Sequence, residues 1–63
     1  MAVIQVLGRE VEVSAGDTIE DAMHANGFHP DSFLYLDDGK PVPMDTVISD
    51  TSVIRAVKVA SGG

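Results

Sequence analysis

Val53-Ile54-Arg55-Ala56-Val57-Lys58 decides the fold. The run is β-branched and aliphatic, and it lies within a predicted last strand from Ser52 to Val59. Side chains alternate faces along a strand, so Ile54 and Ala56 share one face and Arg55, Val57 and Val59 the other. A charged Arg55 belongs in water, which sends Ile54 and Ala56 to the core. A second aliphatic run, Ala2 to Leu7, stands at the other end of the sequence. Two such strands suit the centre of a sheet, side by side.

Working outward, Gly8-Arg9 reads as a tight turn and Glu10-Val11-Glu12-Val13 as a half-buried strand of period two. The first two strands therefore form a hairpin. Asp17, three residues before Glu20, has the spacing of a capping box at a helix start. Ile19, Ala22 and Met23 fall on one face at helical spacing, with Glu20, Asp21 and His24 elsewhere. Gly27 is the expected stop, and Pro30 limits continuation. Phe33-Leu34-Tyr35-Leu36 is a third strand. Asp37-Asp38-Gly39-Lys40 is a turn, because glycine supplies the positive φ it needs. Val42, between Pro41 and Pro43, allows only a very short edge strand. Asp45 to Thr51 reads as a loop, with Val47 and Ile48 available to plug the core. Ala60-Ser61-Gly62-Gly63 carries only small side chains and is expected to be a flexible tail. The sum is one α+β domain over residues 1–59, a helix crossing one face of a mixed sheet, with a tail over 60–63.

Composition narrows the chemistry. The chain has 63 residues, a hydrophobic fraction of 44% and no cysteine, which leaves room for one core and excludes disulfides, thiolate metal sites and a cysteine nucleophile. A small secreted domain often needs disulfide staples, so their absence leans toward a cytoplasmic location. No apolar run approaches the roughly 20 residues that span a bilayer, so no membrane partner is expected. The net charge of −6 argues against direct nucleic-acid binding and fits a basic partner surface. Adaptation to high salt would produce the same balance. His24 and His29, near Asp21 and Asp31, match no common zinc spacing, so no metal site is expected. The serines lack a nucleophile-elbow context, and Gly8 and Gly16 form no phosphate-binding motif. No catalytic constellation is present, and the chain is not expected to be an enzyme.

Two segments carry a resemblance: Asp38-Gly39-Lys40-Pro41-Val42-Pro43, and Val53 to Lys58 leading to Gly62-Gly63. With the element order, they make the whole chain resemble the ubiquitin-like β-grasp sulfur carriers and small archaeal modifier proteins, relatives of the thiamine and molybdopterin carriers. Thiamine carriers often have Asn before that glycine, with Arg and then Trp after the Val-Pro. Asp38, Met44 and the lack of tryptophan depart from this, so the small archaeal modifiers are the nearer match. The resemblance implies a four- to five-stranded mixed sheet with one helix.

It also implies a function carried by Gly62 and Gly63. An E1-like adenylyltransferase would activate the Gly63 carboxylate, and a thiol or persulfide would then give a thioester or thiocarboxylate. Sulfur donation, as in transfer-RNA thiolation, or an isopeptide bond to a target lysine would follow. ATP and magnesium would belong to the activating enzyme, so no cofactor is expected on the chain itself. Glycines let the backbone pass a narrow channel, and four extended residues reach at most roughly 13–14 Å. The partners implied are that enzyme and either target proteins or a sulfur acceptor, and a monomer suits such a carrier.

The resemblance also turns Phe33 and Tyr35 inward. Leu34, Leu36 and Val57 then make an apolar docking patch beside Arg55. Lys40 and Lys58 are the only lysines and so the candidate isopeptide acceptors. The alternatives are a dedicated molybdopterin or thiamine sulfur carrier, and a non-conjugating β-grasp interaction domain.

Overall fold

The computed structural model describes residues 2–59. Gly62 and Gly63, and the tail expected over 60–63, lie outside the described residues. Five strands form one mixed sheet: β1 (Ala2–Val6), β2 (Arg9–Val13), β3 (Phe33–Asp37), β4 (Lys40–Val42) and β5 (Val53–Lys58). One helix, α1 (Ile19–Ala25), and a single 3₁₀ turn at Pro30–Ser32 complete the secondary structure among the described residues. The strand order is β2-β1-β5-β3-β4. β5 runs parallel to β1 and antiparallel to β3, so the two aliphatic strands do lie side by side at the centre. This is the β-grasp arrangement of an α+β domain.

Alternation along the central strands separates the two faces of the sheet. Ala2, Ile4 and Val6 of β1, Ile54 and Ala56 of β5, and Tyr35 of β3 are buried. Ile19, Ala22 and Met23 of α1 belong to the same core cluster. Tyr35 is held inward by its own hydroxyl, which donates to the Pro30 carbonyl at 2.8 Å. A buried phenol needs such a partner, because an unpaired hydroxyl in an apolar site is costly.

Both hairpins use the same two-residue turn. Asp38 (φ 54°) and Gly39 (φ 79°) connect β3 to β4, while Leu7 (φ 50°) and Gly8 (φ 76°) connect β1 to β2. Positive φ at both central positions matches the twist of the flanking strands. The turn expected at Gly8-Arg9 is thus one residue early, at Leu7-Gly8, and Arg9 opens β2. The register pairs Val6 with Arg9, which leaves only Leu7 and Gly8 to turn the chain. Leucine accepts this conformation at about 1–2 kcal/mol, because its Cβ crowds the following carbonyl.

The helix start also shifts by one residue. Thr18, not Asp17, is the N-cap, and its hydroxyl accepts from the Asp21 N–H at 3.1 Å. The loop after β4 satisfies the two preceding donors: Ile19 N–H donates to Thr46 O and Glu20 N–H to Met44 O. Asp17 instead offers its carbonyl to the Ile48 N–H at 2.8 Å. The helix ends as expected, with Gly27 at φ 84°. Of the two residues expected to plug the core from the loop, Ile48 does so and Val47 does not. Thr18 and Val47 form a bridge, which fixes the loop so that only one of two successive side chains can point inward.

Candidate functional site

The sheet face opposite α1 is built by the outward positions of every strand. Register places Leu34 directly across from Val57, and Leu36 across from Arg55. Leu36 also faces Pro41 of β4, and Arg55 faces Gln5 of β1. Gln5 in turn faces Glu10 of β2. One row therefore crosses the whole sheet: Glu10, Gln5, Arg55, Leu36 and Pro41. Within it the Gln5 Nε2 donates to Glu10 Oε2 at 3.3 Å.

The apolar members are open to solvent to different degrees. Leu34 is 47% exposed and Val57 39%, while Leu36 is half-buried. Arg55 is exposed beside them. Leu34, Leu36, Arg55 and Val57 thus share one face, with Tyr35, Ile54 and Ala56 on the other. Directly opposed aliphatic pairs such as Leu34–Val57 stabilise a sheet modestly whether or not a partner covers them. Exposure on this scale is what gives a partner something to bury.

Leu7 is an addition that the sequence reading did not single out. It is 57% exposed, on the turn between β1 and β2. The signal was available in Gly8, whose preference for positive φ points to a two-residue turn with Leu7 as its other half. The two lysines separate. Lys40 opens β4 just beyond the Asp38-Gly39 turn, and Lys58 closes β5 at the other end of the sheet. Both are exposed.

β5 ends against the turn that leads into β3. The Val59 N–H donates to the Ser32 carbonyl at 3.0 Å, which fixes where the chain passes beyond the sheet. His24 and His29 are exposed. Among the described residues, no group of three His, Asp or Glu side chains is placed to hold a metal ion. No described helix is long and apolar enough to cross a membrane.

Burial gives Tyr35 its shifted acidity. Desolvation of the phenol comes first, followed by the carboxylates of Asp31 and then Glu20, and together they push its pKa from 10.0 up to about 12. All three oppose a phenolate. The hydroxyl is therefore a fixed donor to Pro30, part of the frame that turns Leu34 and Leu36 outward.

A family model described as Small archaeal modifier protein 2 matches residues 2–59. No curated protein gives a significant match.

Proposed function

The chain belongs to the small archaeal modifier protein 2 family, and from that premise we propose that it is a ubiquitin-like carrier used through Gly63. An E1-like adenylyltransferase adenylates the Gly63 carboxylate with ATP and magnesium. Adenylate formation joins the carboxylate to the α-phosphate and releases pyrophosphate. Attack by a thiol then displaces AMP and gives a thioester, while attack by the outer sulfur of a persulfide displaces AMP and gives an acyl disulfide, from which a second thiol of the partner releases the thiocarboxylate as a protein disulfide forms. Attack of a lysine amine on the thioester or adenylate gives an isopeptide bond. The thiocarboxylate serves as a sulfur donor, for example in transfer-RNA thiolation.

The observation that carries this reading is the family match over the whole described domain, followed in the sequence by Gly62-Gly63. Gly62 gives clearance, and the adenylate forms on Gly63. The sheet face with Leu34, Leu36, Val57 and Arg55 supports the same reading, since it offers a partner an apolar surface with one cation. The body contributes recognition, and the nucleotide chemistry belongs to the activating enzyme. Lys40, exposed beside a hairpin tip, is the better placed of the two lysines to accept another carrier.

The test incubates the protein with its cognate E1-like enzyme, ATP and magnesium. Mass spectrometry should find an adenylate or thioester at Gly63. A variant lacking Gly62 and Gly63 that is still activated would refute the tail mechanism. A thiocarboxylate on native protein would mark sulfur delivery, and branched peptides on target lysines would mark conjugation.

A further inference from the structure

The two edges of the sheet are not alike. β4 forms one of them. Asp37 and Lys40 flank its two-residue turn and bond to each other, so the next residue, Pro41, directs its backbone nitrogen away from the sheet. That nitrogen carries no hydrogen, and the strand has three residues, so this edge offers little to an incoming strand. β2 forms the other edge, with five residues and no strand beyond it among the described residues. Val6 and Arg9 flank the β1–β2 turn and face each other, so Arg9, Val11 and Val13 direct their N–H and C=O groups to β1. Glu10 and Glu12 therefore direct theirs outward, and no backbone partner meets them among the described residues. The side chains alternate as well. Glu10 and Glu12 are exposed on the outer sheet face, while Val11 and Val13 are half-buried on the helix face, packed against the core.

We propose that the β2 edge takes up an extended segment of another protein as a sixth strand, one in which basic residues alternate with an apolar residue. The outward N–H and C=O groups of Glu10 and Glu12 supply the ladder for it. Residues directly opposite in an antiparallel pair share a face, with Cβ atoms roughly 4.5–5.5 Å apart. Cations across from Glu10 and Glu12 thus stand two residues apart in the incoming strand. The residue between them lies across from Val11, over the apolar surface that Val11 and Val13 leave open. Arg9 does not cancel this charge pattern, because it lies on the helix face with its guanidinium 5.9 Å from the centroid of the Phe28 ring.

The same glutamates reject a second copy of the chain. Two β2 edges paired antiparallel about Val11 set Glu10 of each copy against Glu12 of the other, and like charges directly opposite are destabilising. An acidic segment is refused on the same ground, and the net charge of −6 adds to both refusals. The edge is also distinct from the patch of Leu34, Leu36 and Val57, since β1 separates β2 from β5 and β3. It needs neither Gly62 nor Gly63. The edge therefore stays open once Gly63 has been joined to a target, and the proposal stands whatever the adenylation assay returns.

The test titrates isotope-labelled full-length protein, at physiological ionic strength, with a capped peptide of three lysines alternating with two valines. The amide signals of Glu10 and Glu12 should shift, and their hydrogen exchange should slow roughly tenfold at saturation, because both gain an acceptor. The Val11 amide, already bonded to β1, should change less. The double variant Glu10→Gln/Glu12→Gln, with its spectrum otherwise native, should bind roughly fivefold more weakly. Glu10→Lys/Glu12→Lys should reverse the preference, toward a peptide of alternating glutamates and valines. Two control peptides separate strand addition from plain charge attraction: the same composition with its lysines contiguous, and the alternating peptide with its lysine amides N-methylated. Either control binding as tightly as the parent peptide overturns the proposal, and so does the absence of shifts at Glu10 and Glu12. Concentration-dependent shifts of these two amides without peptide also overturn it, and give the edge to a second copy.

Discussion

Alkaline pH should destabilise this domain through Tyr35, its only tyrosine. The phenol is 2% exposed, donates to Pro30 O, and has its pKa pushed from 10.0 up to about 12. A raised pKa on an acid means that the folded state holds its proton longer than the unfolded chain. Stability from this group is therefore fully present below the unfolded value, and it falls as pH rises from there toward the folded value. Between about pH 9 and about pH 11 the loss is at most ~1.3 kcal/mol, and nearer ~1 kcal/mol once solvent screening at the ring edge is allowed for. That is a sizeable share of the roughly 3–9 kcal/mol expected for a chain of this length. Tyr35→Phe should cost ~1 kcal/mol at neutral pH, since it leaves the Pro30 carbonyl without its donor. The same variant should then lose less stability on the alkaline side. Urea unfolding of both proteins across that window gives the two slopes. Absorbance titration of the phenolate gives the pKa directly, because no other tyrosine or tryptophan interferes. Titration of native protein near 10, or parallel alkaline loss in both proteins, would refute the reasoning.

Ile54, fully buried in the central strand, should cost ~2–5 kcal/mol as alanine, enough to bring the domain close to unfolding in a thermal melt. Thr18→Ala should cost ~1 kcal/mol in urea unfolding, because the Asp21 N–H loses its acceptor, whereas Asp17→Ala should move the midpoint far less. Leu36→Asp, on the outer sheet face, should raise the KM for activation while leaving a native spectrum. A variant that unfolds outright would show that Leu36 carries the core instead.

The central strands were legible because Ile54, Arg55 and Ala56 alternate without ambiguity. The run Phe33 to Leu36 was not legible by period, since every member is apolar. Its register rests on the Tyr35 hydroxyl reaching Pro30, a contact between side chain and backbone that no pattern encodes. The helix start was misplaced for a similar reason. Asp17 and Thr18 are both good caps, and the choice is made by Met44 and Thr46 carbonyls arriving from a distant loop. Reading the first turn one residue late had the larger cost for the site. It put Arg9 in the turn rather than on a strand beside Phe28, and it hid Leu7 altogether. Gly62 and Gly63 were visible in the sequence from the first and stand outside the described residues, so their role rests on the family and awaits the adenylation assay.

The parallel pairing of β1 and β5 has a mechanical consequence. β1 enters the sheet at one end, and β5 leaves it at the other. A pull between the start of β1 and the end of β5 therefore drags the two strands past each other along their length. Hydrogen bonds loaded in this way share the force and must fail together, whereas a hairpin pulled at its open end parts one bond at a time. A protein-unfolding machine that grips this domain beyond β5 would meet its most resistant direction first.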